Sequence, residues 1–279
     1  MSSTRSIIER GVKNIVFTSS KKSYLCSEEI DNARLLMNKI LIDGDESQQK
    51  SYEVTHAVII AKLAKILSTQ QIHFPLQHAN LNVISLGCGI PDDYFALKAL
   101  LQKNNNPAVI NYVGVDINLK PTYEPGVDFS QYPEMKLITA DATDPEVLKT
   151  VLSSADAVPE KGFDIIFLRH PEILSHDLNY PFQRMIRSVI PFLSGEKSSV
   201  FISAYLSLEM LLINASLNIP DYTVLPDNKL TISGVISSEN VHGNSMEPEN
   251  FSIVMHCSGS SLVLKPKSVN SLSITRNTL

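Results

Sequence analysis

Residues 81–93, Leu-Asn-Val-Ile-Ser-Leu-Gly-Cys-Gly-Ile-Pro-Asp-Asp, constrain the fold of this chain more than any other stretch. An apolar, β-prone run (Val83, Ile84, Leu86) stops at Gly87 and Gly89, and helix-compatible sequence resumes at Pro91. The pattern predicts a buried strand, a tight glycine turn and a helix N-terminus. Such a turn leaves backbone N–H groups pointing outward and lets a ligand approach main chain that a Cβ would otherwise shield. It reads as a nucleotide-type cofactor site. The dinucleotide fingerprint G-x-G-x-x-G/A would need Gly or Ala at position 92, which is Asp. A Walker loop is excluded too, because no Gly-Lys-Ser/Thr follows.

Ser85-Leu86-Gly87-Cys88-Gly89-Ile90-Pro91 resembles the first motif of class I S-adenosylmethionine (SAM)-dependent methyltransferases, acid-x-Gly-x-Gly-x-Gly. Ser85 stands at the acid and Pro91 at the third glycine. Further landmarks follow in order. Asn111–Ile117 reads as a second buried strand ending in Asp116. Ligands of open α/β sheets lie at the carboxyl ends of strands, where a carboxylate can accept both ribose hydroxyls. The competing reading of Asp116 is a strand-end acid that caps a helix. Asp116 lies farther from Gly89 than the roughly 20 residues usual in nucleotide-binding units, and the polar insert Lys103–Pro107 accounts for the excess.

A third strand, Met135–Ala140, ends at Asp141-Ala142, where the resemblance implies an acid that accepts the adenine amino group. The next helix has its own start signal in Thr143 or Asp144, Pro145 and Glu146, which leaves Asp141 for a ligand. Phe163–Leu168 and Ser199–Tyr205 read as the fourth and fifth strands. Between them, Phe182, Met185, Ile186, Val189 and Ile190 repeat at helical spacing, as do Val147, Leu148, Val151 and Leu152 after the third strand. After a helix near Leu206–Leu217, the runs Tyr222–Leu225, Leu230–Ile236 and Phe251–Ser258 are β-prone with no helix between them. The expected fold is α/β: a doubly wound, mostly parallel seven-stranded sheet with an antiparallel edge hairpin and an N-terminal helical extension. The expected domains are an N-terminal helical extension over 1–79, a cofactor-binding domain over 80–265 and a polar tail over 266–279.

Within the extension, Ile30, Ala33, Met37, Ile40 and Leu41 form one helical stripe, ended by the Asp43-Gly44-Asp45 turn. A second helix from about Ser51 carries Val54, Ala57, Val58, Ala61, Ala64 and Leu67. These helices either cover the cleft as a lid or support the back of the sheet.

The resemblance implies SAM as cofactor and S-adenosylhomocysteine (SAH) as product. The candidate contacts are Gly87, Cys88, Gly89, Asp92, Asp116, Ile117, Asp141, Ala142 and Arg169. The sulfonium is already activated, so positioning does most of the work, and a base is needed only for a protonated nucleophile. His170, after the fourth strand, is the candidate base, against a surface-loop reading. Arg169 is read either as a ligand contact or as a partner of Asp141 or Glu172. Asp92 and Asp93 either cap their helix or hold the cofactor's ammonium in place of the acid missing at Ser85. The sequence lacks Asp/Asn-Pro-Pro-Tyr/Phe after the fourth strand, which disfavours base- and amide-nitrogen acceptors. No metal is expected, because only Asp164 and Glu172 lie near the strand ends and the other histidines lack ligand spacing.

A net charge of −5 gives no electrostatic footprint for nucleic acid, and Lys21-Lys22 is the only adjacent pair of cations. Three scattered cysteines suit a reducing compartment, and no apolar run reaches a membrane span. The expectation is a cytoplasmic enzyme with a small-molecule acceptor, bound to neither nucleic acid nor membrane. Two other classes stay open: an inactive SAM-binding regulatory module, and a transferase of another group such as aminopropyl transfer or a nicotianamine-synthase-like activity.

Overall fold

A computed structural model describes residues 17–18, 27–37, 46–69, 74, 80–119, 128–154, 159–171, 180–194, 198–204, 209, 212–213, 230–237 and 251–257. Its centre is a parallel sheet of five strands: β2 (Leu81–Leu86), β3 (Ile110–Asp116), β4 (Met135–Thr139), β5 (Ile165–Arg169) and β6 (Ser199–Ala204). In space their order is β6-β5-β2-β3-β4, all neighbours parallel. The chain therefore builds outward from β2 through β3 to β4, then returns to the other side of β2 for β5 and β6. The carboxyl ends of β2 and β5 flank the topological switch point, the crevice where open α/β sheets receive ligands.

Beyond β6 the sheet continues through β8 (Phe251–Cys257), antiparallel to β6, and β7 (Leu230–Ser237), antiparallel to β8 with a register shift between Ile232 and Gly234. A two-residue strand, β1 (Phe17–Thr18), pairs parallel with β7, although it lies in the stretch expected to be helical. The Asp43–Asp45 turn, most of the helix expected near Leu206–Leu217, Tyr222–Leu225, Glu172 and the tail 266–279 lie outside the described residues.

Strand residues alternate between two cores. Val83, Tyr112, Ile165, Phe167 and Phe201 pack under α1 (Ser27–Met37), α2 (Glu46–Thr69) and α3 (Asp92–Lys103). Ile84, Leu86, Val113, Val115, Ile166, Leu168, Val200 and Ile202 pack against α4 (Pro145–Ser153) and α5 (Tyr180–Val189). A sheet buried on both faces explains why its strands read as continuous apolar runs. Each fully buried Phe, Leu or Ile contributes about 1.5–3 kcal/mol.

Boundaries differ from expectation in instructive places. The fourth strand begins two residues late, because Phe163 makes an isolated bridge to Leu193 and Asp164 turns inward. Both Asp164 oxygens are spent on structure: one accepts from the Asn82 amide and the other from the Ser194 hydroxyl, each at 2.8 Å. Helix α2 begins at Glu46, not near Ser51. Of its expected stripe Ala57, Ala61 and Leu67 are buried and Val58 and Ala64 half-buried, and Ile60 and Leu63 are fully buried as well, so the apolar face is wider than expected. Helix α4 is capped by Asp144, which accepts from the amides of Glu146 (2.9 Å) and Val147 (3.3 Å), with Pro145 next.

Candidate functional site

The glycine turn leaves β2 with Gly87 at φ +70° and Gly89 at φ +49°, both left-handed. The Gly87 and Cys88 amides reach back to the Val115 carbonyl, at 2.8 and 3.3 Å, which ties the turn to β3. A Cβ on Gly87 would stand 3.4 Å from the Arg169 carbonyl, so the turn abuts the end of β5. At Gly89 the situation is opposite. Among the described residues no atom lies within 4 Å of the position a Cβ would take. The turn thus offers bare main chain to an open side, which fits a closely approaching ligand.

Asp116 ends β3 beside this turn. One of its oxygens accepts from the Gly89 amide at 2.8 Å and the other from the Asn118 amide at 2.7 Å. A carboxylate has about four lone-pair sites, so these bonds fix the group and still leave acceptor capacity. Ile117, the next residue, is an exposed apolar side chain. At the end of β4, one Asp141 oxygen accepts from both the amide (2.8 Å) and the hydroxyl (2.7 Å) of Thr143, and Ala142 is buried beside it.

Beneath the turn lies a polar layer that the sequence only partly announced. Pro91 precedes α3 by one residue, with ψ 57°, and does not open the helix itself. Its missing N–H belongs to a set without helical partners in any case. Asp92 and Asp93, expected at an open helix end, are both buried. The Arg169 guanidinium donates to the Ile90 carbonyl at 3.2 Å and lies 3.5 Å from Asp92, which makes Asp92 one of its carboxylate partners. Asp92 also meets His56 of α2, whose Nδ1 stands 2.8 and 3.0 Å from the two oxygens.

Asp93 accepts from the Tyr112 hydroxyl at 2.8 Å and from the Tyr94 amide at 3.1 Å through one oxygen. Its other oxygen and the Ser85 hydroxyl are buried without a hydrogen-bond partner among the described residues. Burial pushes the Asp93 carboxyl up from its ordinary value, against the pull of the Arg169 guanidinium. Burial likewise pushes the Cys88 thiol up, reinforced by the Asp93 and Asp116 charges.

His170 follows β5 at φ +47°, a left-handed backbone uncommon outside glycine, with its amide bonded to the Ser203 carbonyl at 3.1 Å. Non-glycine residues in this region mark functional or over-determined positions. Gly87–Gly89, Asp116, Arg169 and His170 thus gather around the switch point, while Asp141 and Ala142 end the outer strand β4. Sequence reasoning missed His56 and Tyr112. His56 has no ligand spacing to single it out, and Tyr112 reads as one more apolar residue of its strand.

A cavity of about 200 Å³ lies elsewhere, between α1, α2 and the C-terminal half of α3, lined in part by Glu29, Ala61, Lys65 and Lys103. It sits at the opposite end of α3 from the glycine turn. Among the described residues no group of three His, Cys, Asp or Glu side chains could hold a metal ion. No described helix is long and apolar enough to cross a membrane.

No family model and no curated protein matches this chain. It is similar to solved structures of methyltransferases. The CurJ carbon methyltransferase is 14% identical at a TM-score of 0.41, over 77% of this chain and 56% of that one. The N-methyltransferase NodS from Bradyrhizobium japonicum WM9 is 12% identical at 0.41, over 77% and 99%. The SAH-bound CalO1 methyltransferase of calicheamicin biosynthesis is 14% identical at 0.42, over 92% and 70%. This chain therefore spans little more than half the length of the CurJ chain.

Proposed function

We propose that this chain binds SAM and transfers its methyl group to an oxygen or nitrogen of a small-molecule or side-chain acceptor, as a class I methyltransferase. One observation carries the reading: at the switch point, a glycine turn with an open face at Gly89 stands against the Asp116 carboxylate. The seven-stranded core with an antiparallel edge, the helical extension over 1–79 and the polar tail over 266–279 belong to the same proposal. So do a cytoplasmic location and the absence of a nucleic-acid or membrane partner.

In this reading the Gly87–Gly89 turn, including Cys88, admits the methionine portion, and Asp116 accepts the ribose hydroxyls. Ile117 lies against the adenine, and Asp141 beside Ala142 accepts its amino group. Arg169 and Asp92 hold the turn from below. The bound cofactor supplies an electrophilic methyl on a sulfonium. The protein supplies alignment and exclusion of water, and His170 takes the proton of a hydroxyl or protonated amine acceptor.

Calorimetric titration tests this. SAH is expected to bind in the micromolar range, about −8 kcal/mol, with NAD and ATP at least tenfold weaker. Asp116→Ala is expected to lose about 1.5–3 kcal/mol of that affinity, the usual worth of hydrogen bonds to a charged acceptor. NAD binding tighter than SAH would overturn the reading of the turn. Release of methylthioadenosine instead of SAH would reassign the transferred group.

A further inference from the structure

Three elements distant in sequence meet at Asp92, the first residue of α3. His56 approaches from α2, 36 residues earlier, and Arg169 from β5, 77 residues later. The two contacts are unequal. His56 Nδ1 sits at hydrogen-bonding distance from both carboxylate oxygens (2.8 and 3.0 Å), whereas the guanidinium stands off at 3.5 Å and puts its other nitrogen on the Ile90 carbonyl. Because an ionised Asp92 can only accept, Nδ1 carries the proton and donates. The carboxylate is oriented by the histidine, and the guanidinium is left to span the carboxylate and the turn.

That division has a geometric consequence. Without the His56 donor, Asp92 and Arg169 close on each other, since their attraction at low dielectric is strong. The guanidinium then moves off the Ile90 carbonyl. Ile90 directly follows Gly89, and Arg169 directly precedes the left-handed His170. A shift of one guanidinium therefore displaces both walls of the crevice.

We propose that His56 is a positioning residue of the cofactor site, acting through Asp92 on Arg169 and the Ile90 carbonyl, so that helix α2 is part of the site. This rests on the SAM-binding reading above. Removing one partner of a buried charge is itself destabilising, so the test reads melting temperature beside affinity and compares a variant that keeps the donor with one that misplaces it.

The test is SAH titration and thermal unfolding of the full chain and four variants. His56→Ala removes the donor and is expected to weaken SAH about tenfold, the usual effect of losing one hydrogen bond to a charged group. His56→Asn puts an amide nitrogen at the Nδ1 position and is expected to recover affinity to within about threefold of the parent. His56→Gln keeps polarity and bulk but misplaces its amide, and is expected to behave like alanine. Lys65→Ala breaks the 3.2 Å tie between α2 and Glu29 of α1 without touching Asp92, and is expected to bind SAH as the parent does. Parental affinity in His56→Ala would overturn the proposal. So would equal losses in the Asn and Gln variants that track their melting temperatures. If the parent itself does not bind SAH, the functional reading falls first, and the role of His56 falls with it.

Discussion

Gly89→Ala separates what the turn does for the fold from what it does for a ligand. The residue sits at φ +49°, where an L side chain costs about 1–2 kcal/mol. In a domain of this size that lowers the melting temperature by about 2–8 °C. Among the described residues nothing opposes the new methyl, because none has an atom within 4 Å of it. If SAM lies over this main chain, the methyl enters the volume the ligand needs. Overpacking of a close contact costs about 1–3 kcal/mol, which corresponds to a loss of roughly 5- to 150-fold in SAH affinity. The control is Gly114→Ala. There a Cβ would stand 2.8 Å from Cys88 Sγ, 2.8 Å from Leu137 Cδ2 and 2.9 Å from Tyr112 Cε1, so its cost falls on stability. The assay is calorimetry with SAH beside thermal unfolding of the free protein. A Gly89→Ala variant that shows the expected drop in melting temperature but binds SAH within twofold of the parent would refute a ligand over Gly89.

Two further predictions concern ionisable groups. His170→Gly relieves the left-handed backbone but loosens the unfolded chain, so its melting temperature is expected to stay level or rise by about 1–2 °C. Methyl transfer is expected to slow by about 10²–10⁴-fold with SAH affinity unchanged; a variant that transfers at the parental rate removes His170 as the base. Asp93 is protonated more readily folded than unfolded, so its contribution to stability is complete below about 3.8, the unfolded value, and is lost as pH rises through the higher folded value. Asp93→Asn keeps the acceptor for Tyr112 and cannot ionise, so its melting temperature relative to the parent is expected to rise between pH 4 and pH 8; a constant difference would contradict the shift.

The central strands were legible because burial on both faces makes them mostly apolar: Val83-Ile84 and Ile165-Ile166 read the same way in any register. The turn was legible because Gly87 and Gly89 hold φ values that other residues avoid. The polar layer beneath was not. From Ala57 to Leu67, helix α2 carries apolar residues on nearly every face, so no single phase can be read from it, and the side on which His56 emerges is set by packing on the sheet. Asp92 and Asp93 resemble ordinary first-turn acids, but Asp92 is buried where it meets His56 of α2 and Arg169, and Asp93 where it meets Tyr112 of β3. Asp92 was not among the acids sought for Arg169, Asp141 and Glu172 near the strand ends, because it is the parallel register that brings the end of β5 to the base of the first turn.

The thiol under the turn makes this crevice observable without a ligand. Cys88 is 2% exposed and wedged against the space that Gly114 leaves empty, and its ionisation is suppressed. A thiol reacts with a disulfide reagent only as the thiolate, which attacks a reagent sulfur that can reach it. Labelling of Cys88 therefore requires the Gly87–Gly89 segment to lift away from β3, breaking the bonds to the Val115 carbonyl. Its labelling rate, divided by that of an unhindered thiol, measures the equilibrium constant for this opening. The protein thus carries its own clock for how often the floor of the site comes apart.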